Sequence, residues 1–383
     1  MMLNLGEPAK LKTKKIVFED AYEVRDPGSL EQLKELSAKR KYIEESINNS
    51  SSITEAIARE ISGGLTSHCE QELQKLEQYI PLLENLVHLI DLFTTTTDHS
   101  YRINRWTANL KIRWSSSLCS SSFFNNLTGP KFFQIDDVRF EIGMILFLYG
   151  AILRDWASEI LLLDLVRSAT IFRRAAGVYR YLSQEVLPRL SSVSERPPES
   201  FSEISSVMSL ICLAEAQAVT IKKAEEKGNT ASLLSKLHYG VVQFLDEAMI
   251  ILQSYIKENK DISARFLDFI FWCRDLHELR SYKYLARSMK DDDGNLGGAI
   301  GILRNALNKR QTKVPGDDLW RQVLISEINE SVELLRKYEH ENEFVWHEKV
   351  LDFDQLPVPQ GKKIVNSISY NPERWERSLS FKI

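Results

Sequence analysis

Near the C-terminus, the segment NEFVWHEKVLDFDQLP (342–357) gathers side chains that could bind a metal ion, since it holds a histidine, two glutamates and two aspartates. A zinc-protease helix needs His-Glu-x-x-His, because histidines four residues apart share one helical face. Four residues after His347 the chain has Leu351, so a site would need His340 or a distant histidine. The spacing favours an alternative, a buried aromatic cluster with surface acids and no metal. His347 and Glu348 are then groups that cap a helix or fix the tail.

A second candidate is the glycine-rich stretch DDDGNLGGAIG (291–301), which precedes a helical pattern and could cradle a phosphate. It lacks the Gly-Lys-Ser/Thr ending of a phosphate loop, and a helix rather than a strand comes before it. Three aspartates would also repel an anion, so a hinge between two helices is favoured. The chain has no Gly-x-Ser-x-Gly motif. The sequence therefore predicts no enzyme, no cofactor and no small-molecule substrate.

The bulk composition is that of an ordinary soluble globular protein. The 383 residues are 43% hydrophobic and 27% charged, with a net charge of −4, which gives no reason to expect nucleic acid as a partner. No cysteine lies in a Cys-x-x-Cys pair, so the four cysteines are interpreted as reduced intracellular thiols. They are Cys69, Cys119, Cys212 and Cys273.

Nothing in the sequence predicts a membrane anchor. The N-terminus lacks the apolar core of a signal peptide, and the chain ends in SFKI rather than in a prenylation motif. The longest apolar run, 142–153, is shorter than the ~20 residues that a membrane span needs. We expect a cytoplasmic protein whose membrane contact is peripheral, through a partner or through basic residues. The basic candidates are Lys10, Lys12, Lys14 and Lys15.

The elements that would position these groups are mostly helices. Residues 1–27 are predicted to be extended, and helices follow from a Ser29 cap to 47, over 53–63, and over 67–93 with a kink at Pro81. ANLKIRWSSSL alternates like a strand. Further helices are predicted over 135–157, 164–190, 201–227, 231–258, 262–290, 297–310 and 317–341. This succession predicts an antiparallel stack of helix pairs, with the tail 342–383 packing back over it.

The helix that begins at Thr230 has more than one apolar row. The rows are Leu233, Leu237 and Phe244, and beside them Leu234, Val241 and Leu245. Such a helix is either sandwiched between neighbours or turns one side toward a partner, and the pattern alone favours the sandwich.

Six segments, taken in order from about 105 to 365, resemble the Bro-domain family. They are LKIRWSSSL, DDVRFEIGMILFLYGAILRDWASE, AAGVYRYLSQEVLPRL, SLICLAEAQAVTIKKA, GGAIGILRNAL and NEFVWHEKVLDFDQLP. The resemblance implies one mainly α, elongated, boomerang-shaped domain over 1–383, with a tetratricopeptide-like core of helix pairs and a small β-hairpin. It also implies a non-enzymatic adaptor that is recruited transiently to endosomes in multivesicular-body sorting. Its concave face would bind the C-terminal amphipathic helix of an ESCRT-III core filament subunit.

The resemblance matches the partner-binding positions of the family to residues of this sequence. The apolar anchors fall on Leu233 and Leu237, which reverses the preference for the sandwich along that row. Thr220 stands where the family has a phenylalanine, and Asp164 is the nearest match to an acidic contact. Trp346 replaces an exposed tyrosine and is a candidate secondary contact.

Two alternatives remain open. The chain could be a scaffold of the same fold that has lost ESCRT-III binding, with Thr220 as the sign of that loss. It could instead be an enzyme that uses the 342–357 cluster or the 294–301 loop.

Overall fold

The computed structural model describes residues 3–6, 8–49, 67–96, 100–120, 129–190, 195–309, 314–373 and 377–382. The fold is mainly helical with one small antiparallel sheet, as predicted. The first elements are α1 (Phe18–Ala21), α2 (Pro27–Asn49), α3 (His68–Thr96), α4 (Ser100–Asn109), β1 (Arg113–Ser115) and β2 (Phe132–Gln134). The helical row that follows is α5 (Val138–Glu159), α6 (Leu165–Tyr181), α7 (Ser202–Glu226), α8 (Ala231–Glu258), α9 (Ala264–Asp291), α10 (Leu296–Asn308) and α11 (Asp318–Glu341).

Side-chain caps explain why the predicted helix starts in this row are accurate. At five of the seven starts, an Asp, Asn or Thr side chain accepts a hydrogen bond from a main-chain N–H of the first turn. The caps are Asp137, Asp164, Thr230, Asn295 and Asp317. The predicted helix 164–190 ends where predicted, but it changes type. The helix α6 gives way to a π turn, Leu182–Val186, and then to a 3₁₀ turn, Leu187–Arg189, which contains Pro188 with no N–H to donate.

The N-terminal third departs further from the prediction. A short helix forms over Phe18–Ala21 within the segment expected to be extended, and α4 was not predicted. The helix α2 begins at Pro27, and the Asp26 carboxylate, rather than Ser29, accepts the capping bond, from the Ser29 N–H at 2.8 Å. Strand β1 is shorter than the segment with the alternating pattern. The alternation follows which side chains are buried and not which residues pair with another strand. The predicted helix 53–63 lies outside the described residues.

A buried carboxylate joins the N-terminal elements to the helical row. Glu141 of α5 accepts hydrogen bonds from Trp114 Nε1 (2.7 Å) and from the Tyr79 hydroxyl (3.3 Å), and it forms an ion pair with Arg40. Neither member of the ion pair is exposed to solvent. Because a buried charge is tolerated only when it is paired and hydrogen-bonded, α2, α3, β1 and α5 must all be in place for this site to form.

From α5 to α11, each helix packs mainly against the next one in the chain. A large hydrophobic core runs from the N-terminal segment through α9, and a smaller cluster joins α9, α10 and α11. Within the described part of the chain, α7 passes a length-and-hydropathy test for a membrane span. However, 78% of its apolar window is buried inside the fold, which is typical of a core helix.

After α11 the chain runs back across the helices as a mostly extended segment, residues 348–370, which we call the strap. It meets α10 first and then crosses α8, α7 and α6. Main-chain bonds hold it at Leu351 N to Gly297 O (3.4 Å), Lys362 N to Lys236 O (2.8 Å) and Ile368 N to Arg173 O (3.0 Å). The chain then reaches α2, where Ser380 N donates to Ser29 Oγ (2.9 Å).

Glycines make the close crossings possible. A Cβ placed on Gly177 would lie 1.7 Å from the Ile368 carbonyl oxygen, and one on Gly240 would lie 2.4 Å from the Lys362 carbonyl oxygen. Gly297 and Gly301 of α10 face the strap in the same way, with carbonyl oxygens at 2.2 Å and 2.6 Å. At these distances no side chain fits between the helix and the strap. The strap can therefore cross only where the helix residue is glycine.

Replacing Gly177 with alanine is expected to destabilise the protein by about 1–3 kcal/mol, because the methyl group overlaps a main-chain oxygen. Alanine is otherwise the better helix former by about 1 kcal/mol, so a loss of stability would reflect the crossing and not helix propensity. Thermal unfolding and limited proteolysis of the tail measure the effect. Gly316→Ala is the matched control, since nothing lies within 4 Å of its Cβ position. Equal stability of the two variants would contradict the prediction.

Candidate functional site

The strap defines one face of α6, α7 and α8, which we call the strap face. At its centre is the side-chain amide of Gln217 on α7. Its Nε2 donates to the carbonyl oxygens of Leu237 (2.7 Å) and Lys362 (3.0 Å), and its Oε1 accepts from Ile364 N (3.0 Å). One side chain thus joins α7, α8 and the strap. The guanidinium of Arg173 on α6 holds the next part of the strap by donating from Nε to Asn366 O (2.7 Å).

The antiparallel register of the three helices brings the predicted contact residues to one end of this face. Ser209 of α7 donates to the Ala176 carbonyl of α6 (2.8 Å), and Gln217 lies beside Leu237 of α8. The start of α6, the end of α7 and the start of α8 therefore lie side by side. We call this end, with Asp164, Thr220, Leu233 and Leu237, the hinge surface.

Three of the four hinge residues are accessible to a partner. Leu233 and Thr220 are half-buried, and Asp164 is exposed. The Thr220 hydroxyl donates to the Ala216 carbonyl at 2.8 Å, so its polar group is already satisfied. One oxygen of Asp164 caps α6 by accepting from Val166 N (2.9 Å) and Arg167 N (3.0 Å).

Leu237 differs from the expectation of an exposed anchor, because it is only 2% exposed. It packs in the main core beneath the strap, between α7 and α8. The neighbouring row is buried as well, namely Leu234, Val241 and Leu245. Most of the helix is therefore sandwiched, as its two apolar rows suggest. Leu233 at its start is half-buried, and Ile250 near its end is 67% exposed.

Sequence reasoning missed the contribution of the strap to this surface. Ile364 is 43% exposed, and its main chain is fixed to Gln217. The only signal for this contact was the Ala-Gln pair at 216–217, which belongs to one of the segments that resemble the Bro-domain family. No local pattern indicates that Gln217 binds a segment nearly 150 residues further along the chain.

The segment 342–357 is not the buried aromatic cluster that we predicted. A π turn, Asn342–Trp346, ends α11 and turns three apolar side chains outward. They are Phe344, Val345 and Trp346, and the last is 58% exposed. The turn closes at His347, which has left-handed backbone geometry with φ 52°. Trp346 is thus accessible, and its ring N–H donates to Glu341 at 3.2 Å.

Glu348 fixes the start of the strap, as predicted. Its carboxylate accepts a hydrogen bond from Gly297 N (2.7 Å) in the first turn of α10, and Asn342 holds its main chain through two further bonds. The residues between α9 and α10 form the predicted break between two helices, and Asn295 caps α10. This break is separate from the hinge surface. Across the described ranges, no three His, Cys, Asp or Glu side chains are grouped as metal ligands would be.

Comparison with known families matches residues 36–381 to the BRO1-like domain. The match spans most of the chain, so the chain belongs to the BRO1-like domain family. Among curated relatives, the human BRO1 domain-containing protein BROX is 24% identical over 327 residues, which cover 79% of this chain and 74% of that protein.

Solved structures of this family share the fold. A complex of the BRO1 domain of ALIX with CHMP4C aligns with a TM-score of 0.70 and 17% identity, over 97% of this chain and 95% of that one. A structure described as the basis for endosomal targeting by the Bro1 domain aligns with a TM-score of 0.60 and 15% identity, over 94% and 91%. At these identities the likeness establishes a Bro1-like fold.

A buried histidine pair lies directly beneath the hinge surface, next to Leu237. His238 of α8 and His277 of α9 face each other with their Nδ1 atoms 3.0 Å apart, so one ring must donate and the other accept. Glu225 of α7 lies 3.7 Å from His238, and the charges of Arg280 and Glu327 also affect the pKa of His238. Burial, the other ring and Arg280 hold the pKa of His277 well below its usual range.

The lowered pKa of His277 predicts a loss of stability in acid. The unfolded chain takes up the proton near pH 6.5, and the folded chain only at lower pH. The stability gained by keeping His277 neutral is therefore complete above about pH 6.5. It is lost as the pH falls toward the pKa of His277 in the folded chain. The free energy of unfolding should drop between pH 7.5 and 5.5, and less so in His277→Gln. His340→Gln, at an exposed position on α11, should keep the wild-type pH profile. Identical profiles for wild type and His277→Gln would contradict this account.

Proposed function

We propose that this chain is a non-enzymatic adaptor whose hinge surface binds the C-terminal amphipathic helix of an ESCRT-III core subunit. The observation that carries the proposal is the convergence of Asp164, Thr220 and Leu233 at one end of three rigid helices. The same surface lies beside a strap that is fixed by main-chain bonds. A related domain, the BRO1 domain of ALIX, has been solved as a complex with CHMP4C, an ESCRT-III subunit.

The surface suits helix-in-groove recognition. Leu233 on α8 is half-buried and Ile364 on the strap is 43% exposed, so both can offer apolar contacts to an amphipathic helix. Asp164 at the start of α6 adds a negative charge near the edge. Because the helices and the strap are already in place, little ordering is needed on binding.

Thr220 is the weak point of this surface. A threonine buries much less area than the phenylalanine that the family resemblance places there, and the loss of an aromatic anchor costs about 2 kcal/mol or more. Its hydroxyl is bonded within α7, so an apolar partner can cover it without leaving a polar group unsatisfied. We infer a partner affinity lower than that of a surface with the full aromatic anchor.

We place this activity at endosomal membranes, in multivesicular-body sorting, with peripheral recruitment. One solved relative is described as a basis for endosomal targeting. The predicted basic residues Lys10, Lys12, Lys14 and Lys15 are exposed on the N-terminal segment beside β1, where Thr13 bridges to Trp114. Such a cluster adds attraction to an anionic membrane surface.

A second candidate function is a scaffold for a different protein, and the threonine at 220 is the observation that favours it. The strap and the histidine pair do not distinguish the two functions. A pull-down that recovers another partner and no ESCRT-III subunit would support the scaffold.

The central test is the substitution Leu233→Asp. A charge at this half-buried position should weaken binding of a peptide from the C-terminal helix of CHMP4C by at least about tenfold, since a desolvated carboxylate would face apolar side chains. Fluorescence anisotropy titration measures the affinity. Leu319→Asp, at a 72% exposed site on α11, is the matched control and should bind like wild type. Leu237→Asp is unsuitable, because this residue is in the core.

The gain-of-function variant Thr220→Phe should bind the same peptide more tightly than wild type, because it adds an aromatic anchor. Unchanged affinity in Leu233→Asp, with the fold intact by circular dichroism, would rule out the hinge surface. No binding by either wild type or Thr220→Phe would favour the scaffold.

A further inference from the structure

The turn before α6 carries an apolar cluster that faces solvent. Leu162 is 84% exposed, Leu163 is 86% exposed and Val166 is 65% exposed. We call these three residues the leucine knuckle. Two adjacent leucines and a valine on so short a stretch form a contiguous apolar patch, which on a soluble protein usually marks a contact surface.

The knuckle is held outward by an ordered turn. The main-chain N–H groups of Leu163 and Asp164 both donate to the Ile160 carbonyl at 2.9 Å, and Asp164 caps the helix that follows. Ser168 then ties the start of α6 to α5 by donating to the Ala157 carbonyl at 2.7 Å. Leu161 and Leu165 pack partly against the core, whereas the two leucines between them are exposed to solvent.

The knuckle forms the α6 edge of the hinge surface, because Asp164 lies between Leu163 and Val166 in the chain. Val166 precedes Arg173, where the strap crosses α6, by two helical turns, so both lie on the same side of the helix. Thr170 lies between them, and by the antiparallel register Thr220 on α7 and Leu233 on α8 are level with the start of α6. At 1.5 Å per residue, Val166 lies about 10 Å beyond the crossing.

The charges around this surface are of both signs and, among the described residues, include two unpaired cations. Lys236 and Lys362 are exposed where the strap crosses α8, and in the described part of the chain neither ammonium group pairs with a carboxylate. Arg167 projects from the first turn of α6, stacked over Trp156, with Glu70 at 3.8 Å. Asp164 is the opposing charge at the edge, and part of its carboxylate is used for capping. Apolar contacts between cations suit a helix with leucine-like residues on one face and acids beside them.

We propose that the leucine knuckle is a second apolar contact for the same partner helix, and that the partner is an acidic amphipathic helix long enough to reach from Ile364 to Leu163. This inference rests on the proposed function. The knuckle supplies apolar area that Thr220 does not, on either side of Asp164 at the α6 edge of the hinge surface. The leucines before α6 then provide binding energy that an aromatic residue at position 220 of α7 would otherwise provide.

The test compares Leu162→Ser/Leu163→Ser with wild type in titrations of the CHMP4C C-terminal helix peptide. The double variant should weaken binding at least about tenfold, because two leucines lose their buried area in the complex. Leu319→Ser/Ile325→Ser removes two exposed apolar residues from α11 and should bind like wild type. Lys236→Glu/Lys362→Glu should weaken binding as well, and raising the salt concentration should reduce the difference from wild type.

The outcomes separate this inference from the proposed function. If Leu233→Asp weakens binding and the knuckle variant does not, the hinge surface stands and the knuckle is excluded. If wild type does not bind the peptide at all, the proposed function fails and this inference fails with it. If the knuckle variant keeps its peptide affinity but loses flotation with phosphatidylserine vesicles, the knuckle is a membrane contact and the proposal is overturned.

Discussion

An extended peptide can lie directly on a helix only where the helix has no side chain in its path, and this constraint organises the whole molecule. The strap meets Gly177, Gly240, Gly297 and Gly301, each at a distance that a Cβ would occupy. Gln217 then replaces solvent as the hydrogen-bonding partner of the strap main chain. A chain that leaves α11 and travels back to α2 thus ties consecutive helix pairs together without a sheet or a disulfide.

Buried charges provide the second set of long-range ties. Glu141 gathers groups from α2, α3 and β1, and Arg154 of α5 pairs with Glu215 of α7 while donating to the Leu5 carbonyl. Replacing both members of such a pair with apolar residues can be neutral, but removing one leaves a buried charge without a partner. Removing one member of either pair is therefore expected to destabilise the protein more than replacing both.

The surface that we propose for partner binding results from the same architecture. The strap leaves the ends of α6, α7 and α8 uncovered on one side, and the hinge surface and the leucine knuckle occupy that side. Rigid helices with a fixed strap present apolar groups that need no reordering, which favours recognition of a partner helix. The histidine pair beneath Leu237 couples the packing of α8 on α9 to pH through buried rings.

The helical row from α5 to α11 could be read from the sequence, because its caps, periodicity and breaks are local signals that act within a few residues. The family resemblance supplied the class of protein, and the BRO1-like match supports it. The sequence alone missed α4, overextended the strand, and predicted a buried aromatic cluster in 342–357, whereas the family resemblance had placed Trp346 at the surface, where it lies. The burial of Leu237 and the exposure of Leu162, Leu163 and Ile364 were decided only by the tertiary structure. Their environment depends on which helices and which part of the strap lie against them, and those contacts join residues up to nearly 150 positions apart, beyond the reach of any local pattern.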